Sequence, residues 1–347
     1  MKAFKWAALL GAAGILAGCS QNMTTAQKGA IGGAALGTGI GLVTGNSFGT
    51  VVGAGLIGGG AIYSNSTLQL DNVTINNATA SPGGALYQNG GLATLNNTTL
   101  GNSLYVTGNA CLTVNSGSIL SPLSIDSGNS ITVTNYGQPL QLGQITATSL
   151  TVNLTTGPID QAAGTNLTVS GNSSFVSGGS GTNGNITLGN ATNNLGGTIT
   201  ASGTNVTIAN SGNVSIAAIT ASSLTVTSGT GQISQTGALT VTGSTNVSAP
   251  GNVTLANTTN QFSGPVTASG NVVSISDTGS LSLGTINATT LTVNTSGAID
   301  QVAGTNLSVT GNSNFVSSGT GAAGNIILGN ATNNFGGTIT ASGSNVT

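Results

Sequence analysis

From Leu150 to the last residue the chain writes one unit three times, and such a chain folds as stacked copies of a single motif. Residues 164–177 read GTNLTVSGNSSFVS and residues 304–317 read GTNLSVTGNSNFVS. Residues 189–207 read GNATNNLGGTITASGTNVT and residues 329–347 read GNATNNFGGTITASGSNVT. A more diverged copy lies between them. Its Leu224-Thr225-Val226 matches Leu150-Thr151-Val152 and Leu291-Thr292-Val293, and the second interval is the shorter one. In repeat architectures of this kind each unit packs only against its neighbours.

Within each unit, short triplets alternate apolar and hydroxyl residues: Leu167-Thr168-Val169, Ile186-Thr187-Leu188, Val206-Thr207-Ile208, Val214-Ser215-Ile216. A period of two marks a half-buried strand. Gly-Asn, Ser-Gly and Asn-Ser pairs between the triplets are turn formers. Two architectures fit many short strands: an open sandwich array and a parallel β-helix. Sandwiches need longer strands and a repeat nearer a whole domain, so the reading is mainly β, a right-handed parallel β-helix. At roughly 22 residues per turn, equivalent residues are expected above one another. Phe175 and Phe315 would then share one interior position, and Leu195, Phe262 and Phe335 another. Asn190, Asn257 and Asn330 also coincide in the repeat, and stacked asparagines form amide ladders.

The N-terminus carries an address. Lys2 and Lys5 precede an apolar run from Trp6 to Ala17, too short for a stable membrane span. This is a secretory signal, and its end, Leu16-Ala17-Gly18-Cys19, resembles the bacterial lipobox. The resemblance implies cleavage between Gly18 and Cys19 and acylation of Cys19. Ser20 then favours sorting to the outer membrane. An ordinary signal peptide with a chance cysteine is the competing reading. More than one acyl chain anchors stably.

Beyond Lys28, glycine recurs every fourth residue: Gly29, Gly33, Gly37, Gly41, Gly45, Gly49, Gly53. On a helix this makes a smooth stripe that lets helices approach in lipid. With a turn at Thr44-Gly45-Asn46-Ser47, two helices are expected near 29–44 and 48–61. The stretch resembles the glycine-zipper domain of outer-membrane lipoproteins, and a flexible Gly/Ala linker is its rival.

Composition narrows the chemistry. Of three lysines, with no arginine and no histidine, Lys2 and Lys5 leave with the signal, and Lys28 alone to neutralise phosphates rules out nucleic-acid binding in practice. The only acidic residues are Asp71, Asp126, Asp160, Asp277 and Asp300. Asp160 and Asp300 share a repeat position, about six turns apart, too far to act as the two carboxyls of a glycosidase. They read as turn residues, and no enzyme activity, metal or cofactor is expected. Cys111 reads as a small buried hydrophobe, or an intermolecular disulfide partner in an oxidising compartment. What remains is an exterior of hydroxyls and amides.

Phrases such as GNVTLAN (251–257) and GSLSLGTI (279–286) resemble filamentous-haemagglutinin-type exoproteins, and Gly83-Gly84-Ala85-Leu86 resembles turns of autotransporter passengers. These resemblances imply a β-helical adhesin. The family's secretion domain, marked by an NPNG/NPNL-type motif, is not recognised here. The expected organisation is a signal peptide (1–18), a lipidated tether (19–28), a zipper hairpin (29–61), a first β-helix segment (62–146) and three repeats (147–347). The last repeat breaks off mid-unit, so a missing C-terminus is expected. The expected role is a non-catalytic adhesin on the bacterial outer membrane. Membrane lipid holds it through Cys19, and its partner is a glycan or host-surface ligand. The rivals are a self-associating envelope component and, behind it, a carbohydrate-active enzyme.

Overall fold

The computed structural model describes residues 54–57, 61–64, 67–71, 74–75, 86–100, 104–118, 122–137 and 139–347. Two compact parts divide the chain, Met1–Tyr136 and Gly137–Thr347. Among the described residues both are built from parallel strands stacked rung on rung, with one antiparallel exception.

That exception corrects an expectation. The second zipper helix was to run to residue 61, yet Ala54–Ile57 is a strand paired antiparallel with Ala61–Ser64. Glycine costs a helix about 1 kcal/mol per residue, and β-branched Ile57 and Ile62 suit a pleated surface. The glycines at 29, 33, 37, 41, 45, 49 and 53, and Gly18 and Cys19, lie outside the described residues. From Ala61–Ser64 onward the described strands of the first part pair in parallel. One sheet continues through Leu86–Asn89 and Leu104–Thr107. A second runs Leu68–Asp71, Leu92–Leu100, Ala110–Ser118, Leu123–Tyr136.

In the second part every repeat unit opens with a 15-residue strand that bends through three faces: Leu140–Leu154, Val214–Ser228, Leu281–Thr295. Inward positions are Leu, Ile, Val and Ala, and outward ones mostly Thr, Ser, Asn and Gln, as in Leu140–Leu154. Each buried Leu, Ile or Val contributes about 1.5–3 kcal/mol against exposure. A nearly charge-free surface therefore encloses a mainly aliphatic interior. The mainly β, parallel solenoid read from the triplets is the fold.

The stacking follows two long sheets. On the first, Leu140 is followed by Ile159, Ile186 and Val206, then Leu224, Thr245, Val266 and Leu283. On the second, Leu150 is followed by Ser173 and Ile199. Ile199 stacks on Ile216, at the end of the segment that Val214 begins. Val214 then leads to Ile233, Val253, Val273, Leu291, Ser313 and Ile339.

The sequence counterpart of Leu140 in the next unit is Val214, yet the two lie on different sheets. Val206 completes three turns on the first sheet, and the chain crosses half a turn more before the next unit begins. A unit is therefore about three and a half turns, and consecutive units are rotated by half a turn. Equivalent residues of neighbouring units do not sit above one another, contrary to expectation. First and third units are in phase, seven rungs apart.

The unequal intervals come from corners. The stretch from Ser173 to Ile186 is five positions longer than its counterpart from Thr245 to Val253. That from Ile159 to Leu167 is two positions longer than Ile233 to Leu239. These two corners account for all of the middle unit's shortfall. The longer one carries a short 3-10 turn, Gly181–Gly184, repeated as Gly321–Gly324 in the third unit.

Candidate functional site

The carboxylates do not converge. Asp160 faces Gln141 and Thr187 on neighbouring rungs, and Asp300 faces Ser282 and Ile327. They lie on the same sheet seven rungs apart, on the order of 34 Å at about 4.8 Å per rung. Asp71 accepts hydrogen bonds from Gln69 Nε2 (2.9 Å) and Asn96 Nδ2 (2.6 Å). Asp277 is 4 % exposed. Its Oδ1 accepts from Phe262 N (2.8 Å) and its Oδ2 from Gly279 N (2.9 Å). Burial pushes its carboxyl above the usual range, against the pull of those N–H donors.

Sequence reasoning missed the main polar element of the interior. Each unit holds one amide clasp at its short third face: Gln161 with Asn193, Gln235 with Asn260, Gln301 with Asn333. Asn193 and Asn260 are fully buried. Asn193 Nδ2 donates to Gln161 Oε1 (2.9 Å) and Ala209 O (3.2 Å). Its Oδ1 accepts from Gln161 Nε2 (2.7 Å) and Leu167 N (2.9 Å). Asn260 repeats the pattern with Gln235, and its Oδ1 accepts from Leu239 N (2.9 Å). A buried amide fully paired in this way fixes which rung meets which. The signal available was an Ile-x-Gln triplet followed, more than one turn later, by an asparagine two places before an apolar residue.

The asparagines expected to ladder do something else. Asn190 Nδ2 donates to Ala162 O (2.9 Å) and Thr165 O (2.7 Å), and Asn330 does the same with Val302 and Thr305. Asn257 accepts from the backbone of Thr259 (2.9 Å). With neighbouring units half a turn apart, these three cannot stack. Ladders form instead at outward strand positions. Asn96 donates to Asp71 (2.6 Å), Asn115 to Asn96 (3.0 Å) and Thr134 to Asn115 (2.7 Å).

The aromatic and aliphatic positions singled out in the repeats are placed as follows. Phe175 and Phe315 are fully buried, Leu195 is 1 % and Phe262 3 % exposed. Phe175 lies between Val152 and Ala201, and Phe315 between Val293 and Ala341. Leu195, Phe262 and Phe335 each end a short third-face strand, opposite Val169, Val241 and Val309. Phe335, half-buried, meets Phe315 edge to face at 6.2 Å. Cys111 is buried.

Two surface grooves remain. One, of about 270 Å³, has Ser202-Gly203-Thr204 and Thr220-Ala221-Ser222 as its floor, with Ser177 and Thr242 beyond either edge. The other, of about 360 Å³, has Ser269-Gly270-Asn271 and Asn287-Ala288-Thr289 as its floor, with Ala249 and Thr310 beyond. No charged side chain lines either. Their floors are equivalent, each floor position recurring one unit later. Both grooves open where one unit's last turn meets the next unit's first. Because of the half-turn they face opposite sides of the solenoid.

A family model described as repeats of unknown function (DUF5649) matches residues 127–202, 203–269 and 269–342, more than half of the chain. No curated protein and no solved structure matches the chain.

Proposed function

Since the chain belongs to the family of repeats of unknown function (DUF5649), whose description assigns no activity, we propose a role from its chemistry: a non-catalytic adhesin. In this reading a right-handed solenoid is held on the bacterial outer membrane by acyl chains on Cys19. The glycine-zipper segment sits at the membrane, and the solenoid presents its repeats outward. The observation that carries the reading is the exterior of Thr, Ser and Asn around an aliphatic core, nearly free of charge. Such a surface offers many weak, repeated hydrogen bonds and no field to steer charged partners. The resemblance to haemagglutinin-like exoproteins points the same way.

A second reading is a self-associating envelope component. It is favoured by the scarcity of charged side chains, the residues that elsewhere keep strand edges from pairing between chains.

Antibodies against the repeats, applied to intact and permeabilised cells, test the proposal. Labelling of intact cells is expected. Labelling only after permeabilisation overturns the adhesin role and leaves the envelope component. Loss of fatty-acid incorporation in Cys19→Ser tests the anchor, and retained incorporation refutes it.

A further inference from the structure

We infer that the two junction grooves are equivalent binding sites for a neutral, hydroxyl- and acetamido-bearing oligosaccharide, which makes one chain a bivalent cross-linker of such a glycan. The inference rests on the adhesin reading and gives it a location and a ligand class.

Recurrence is the first support. A recess created by the way two units join should reappear, position for position, at the next junction. Here it does, with Thr220, Ala221 and Ser222 becoming Asn287, Ala288 and Thr289.

The chemistry of the walls is the second. Thr220 and Ser222 are exposed at the first floor, and Asn287 and Thr289 at the second. None of the four side chains has a hydrogen-bond partner within the described protein. Ala221 and Ala288, 4 % and 5 % exposed, lie between them. Free hydroxyls and an amide with no protein partner suit sugar hydroxyls and an acetamido group. An anionic or cationic ligand would find no counter-charge to offset its desolvation. An extended peptide would find no open strand edge, because the floor strands already pair rung to rung: Ser202 with Thr220, Gly203 with Ala221, Ala221 with Val241. The second groove is closed in the same way.

Geometry supplies the valency. The grooves are half a turn apart in azimuth and about three and a half rungs apart along the axis, on the order of 17 Å. A single short oligosaccharide cannot wrap both, but two strands of a polymer can each take one. Individually weak contacts then gain through effective concentration.

The test titrates the full chain with chitotetraose, and in parallel with the acetamido-free maltotetraose, following backbone amide resonances. Saturable shifts centred on residues 220–222 and 287–289 are expected with chitotetraose and smaller ones with maltotetraose. Ser222→Arg fills the first groove and Thr289→Arg the second. Both positions are exposed, so the fold is kept, and unchanged spectra elsewhere confirm it. Each variant should halve the number of sites and the pair should abolish binding. Absence of saturable shifts with chitotetraose overturns the inference, as does binding that survives in the double variant. These outcomes are independent of cell-surface labelling. A chain that is displayed outside but binds neither sugar keeps the adhesin reading and loses this one.

Discussion

Val206 lies directly opposite Leu224 on the neighbouring rung, although the repeat makes Leu224 the counterpart of Leu150. That pairing shows that a unit ends half a turn short of a whole number of turns. It determines where the clasps, loops and grooves fall.

The clasp asparagines should be the costliest polar residues to remove. Asn260→Ala removes one hydrogen-bond partner from each of Gln235, Leu239 N, Leu255 O and Ser276 O at once. The expected loss is about 3 kcal/mol, since each orphaned buried group carries its own desolvation penalty. Hydrogen exchange at the Leu239 amide reads this locally, and a double-mutant cycle with Gln235→Ala should show strong coupling. Unchanged protection at Leu239 would show that the clasp does not hold that corner.

One hydroxyl per unit is buried without a partner, at Ser173, Thr245 and Ser313. All three occupy the same repeat position, in columns otherwise filled by Leu, Ile and Val. Thr245→Val keeps the shape and removes the unpaired group. Denaturant unfolding should show a gain of about 1 kcal/mol.

Asp277 occupies the position that Asn210 holds in the first unit. Asn210 Oδ1 accepts from Leu195 N (2.7 Å) and its Nδ2 donates to Asn213 O (2.7 Å), a donation that an ionised carboxylate cannot make. With its folded pKa raised by burial, the neutral acid is the form that folding favours. The stability it lends is full below the ordinary carboxylate range and is lost as pH rises through the folded pKa. Asp277→Asn should therefore raise Tm at neutral pH, with the advantage shrinking as the medium is acidified. An advantage independent of pH would refute this.

Gly264 passes so close to Gly243 that a Cβ would sit 2.4 Å from its carbonyl carbon and oxygen. Gly197 over Gly171 and Gly337 over Gly311 repeat the contact. Gly264→Ala should cost about 2 kcal/mol as an overpacked site. Gly212→Ala, with nothing within 4 Å, should be neutral or slightly stabilising. Equal effects in thermal unfolding would show that backbone contact is not what selects glycine there.

Much of the solenoid was legible in the sequence. Triplets such as Leu167-Thr168-Val169 state which side chains face inward, and strand alternation leaves little freedom in that. The azimuth was not legible, because a repeat interval divides into turns only when the corner lengths are known. The 3-10 corner at Gly181–Gly184, in GGSGTNGN, and the tighter corner after Ser248, APGN, both read simply as turn-forming text. Within GNATNN the eye takes Asn190 and Asn193 as interchangeable. Only packing reveals that Asn193 turns inward to meet Gln161, from far back in the chain. The grooves needed both pieces of knowledge and had no motif of their own.

The half-turn offset also constrains how such a gene can change length. Duplicating or deleting a single unit would swing everything downstream to the opposite bearing, like a spiral stair entered from the other side. Adding or removing units in pairs would lengthen or shorten the stair and leave every landing facing the way it did. Surfaces that must stay aligned thus favour even steps in copy number, a parity rule written by corner lengths and invisible in any one unit.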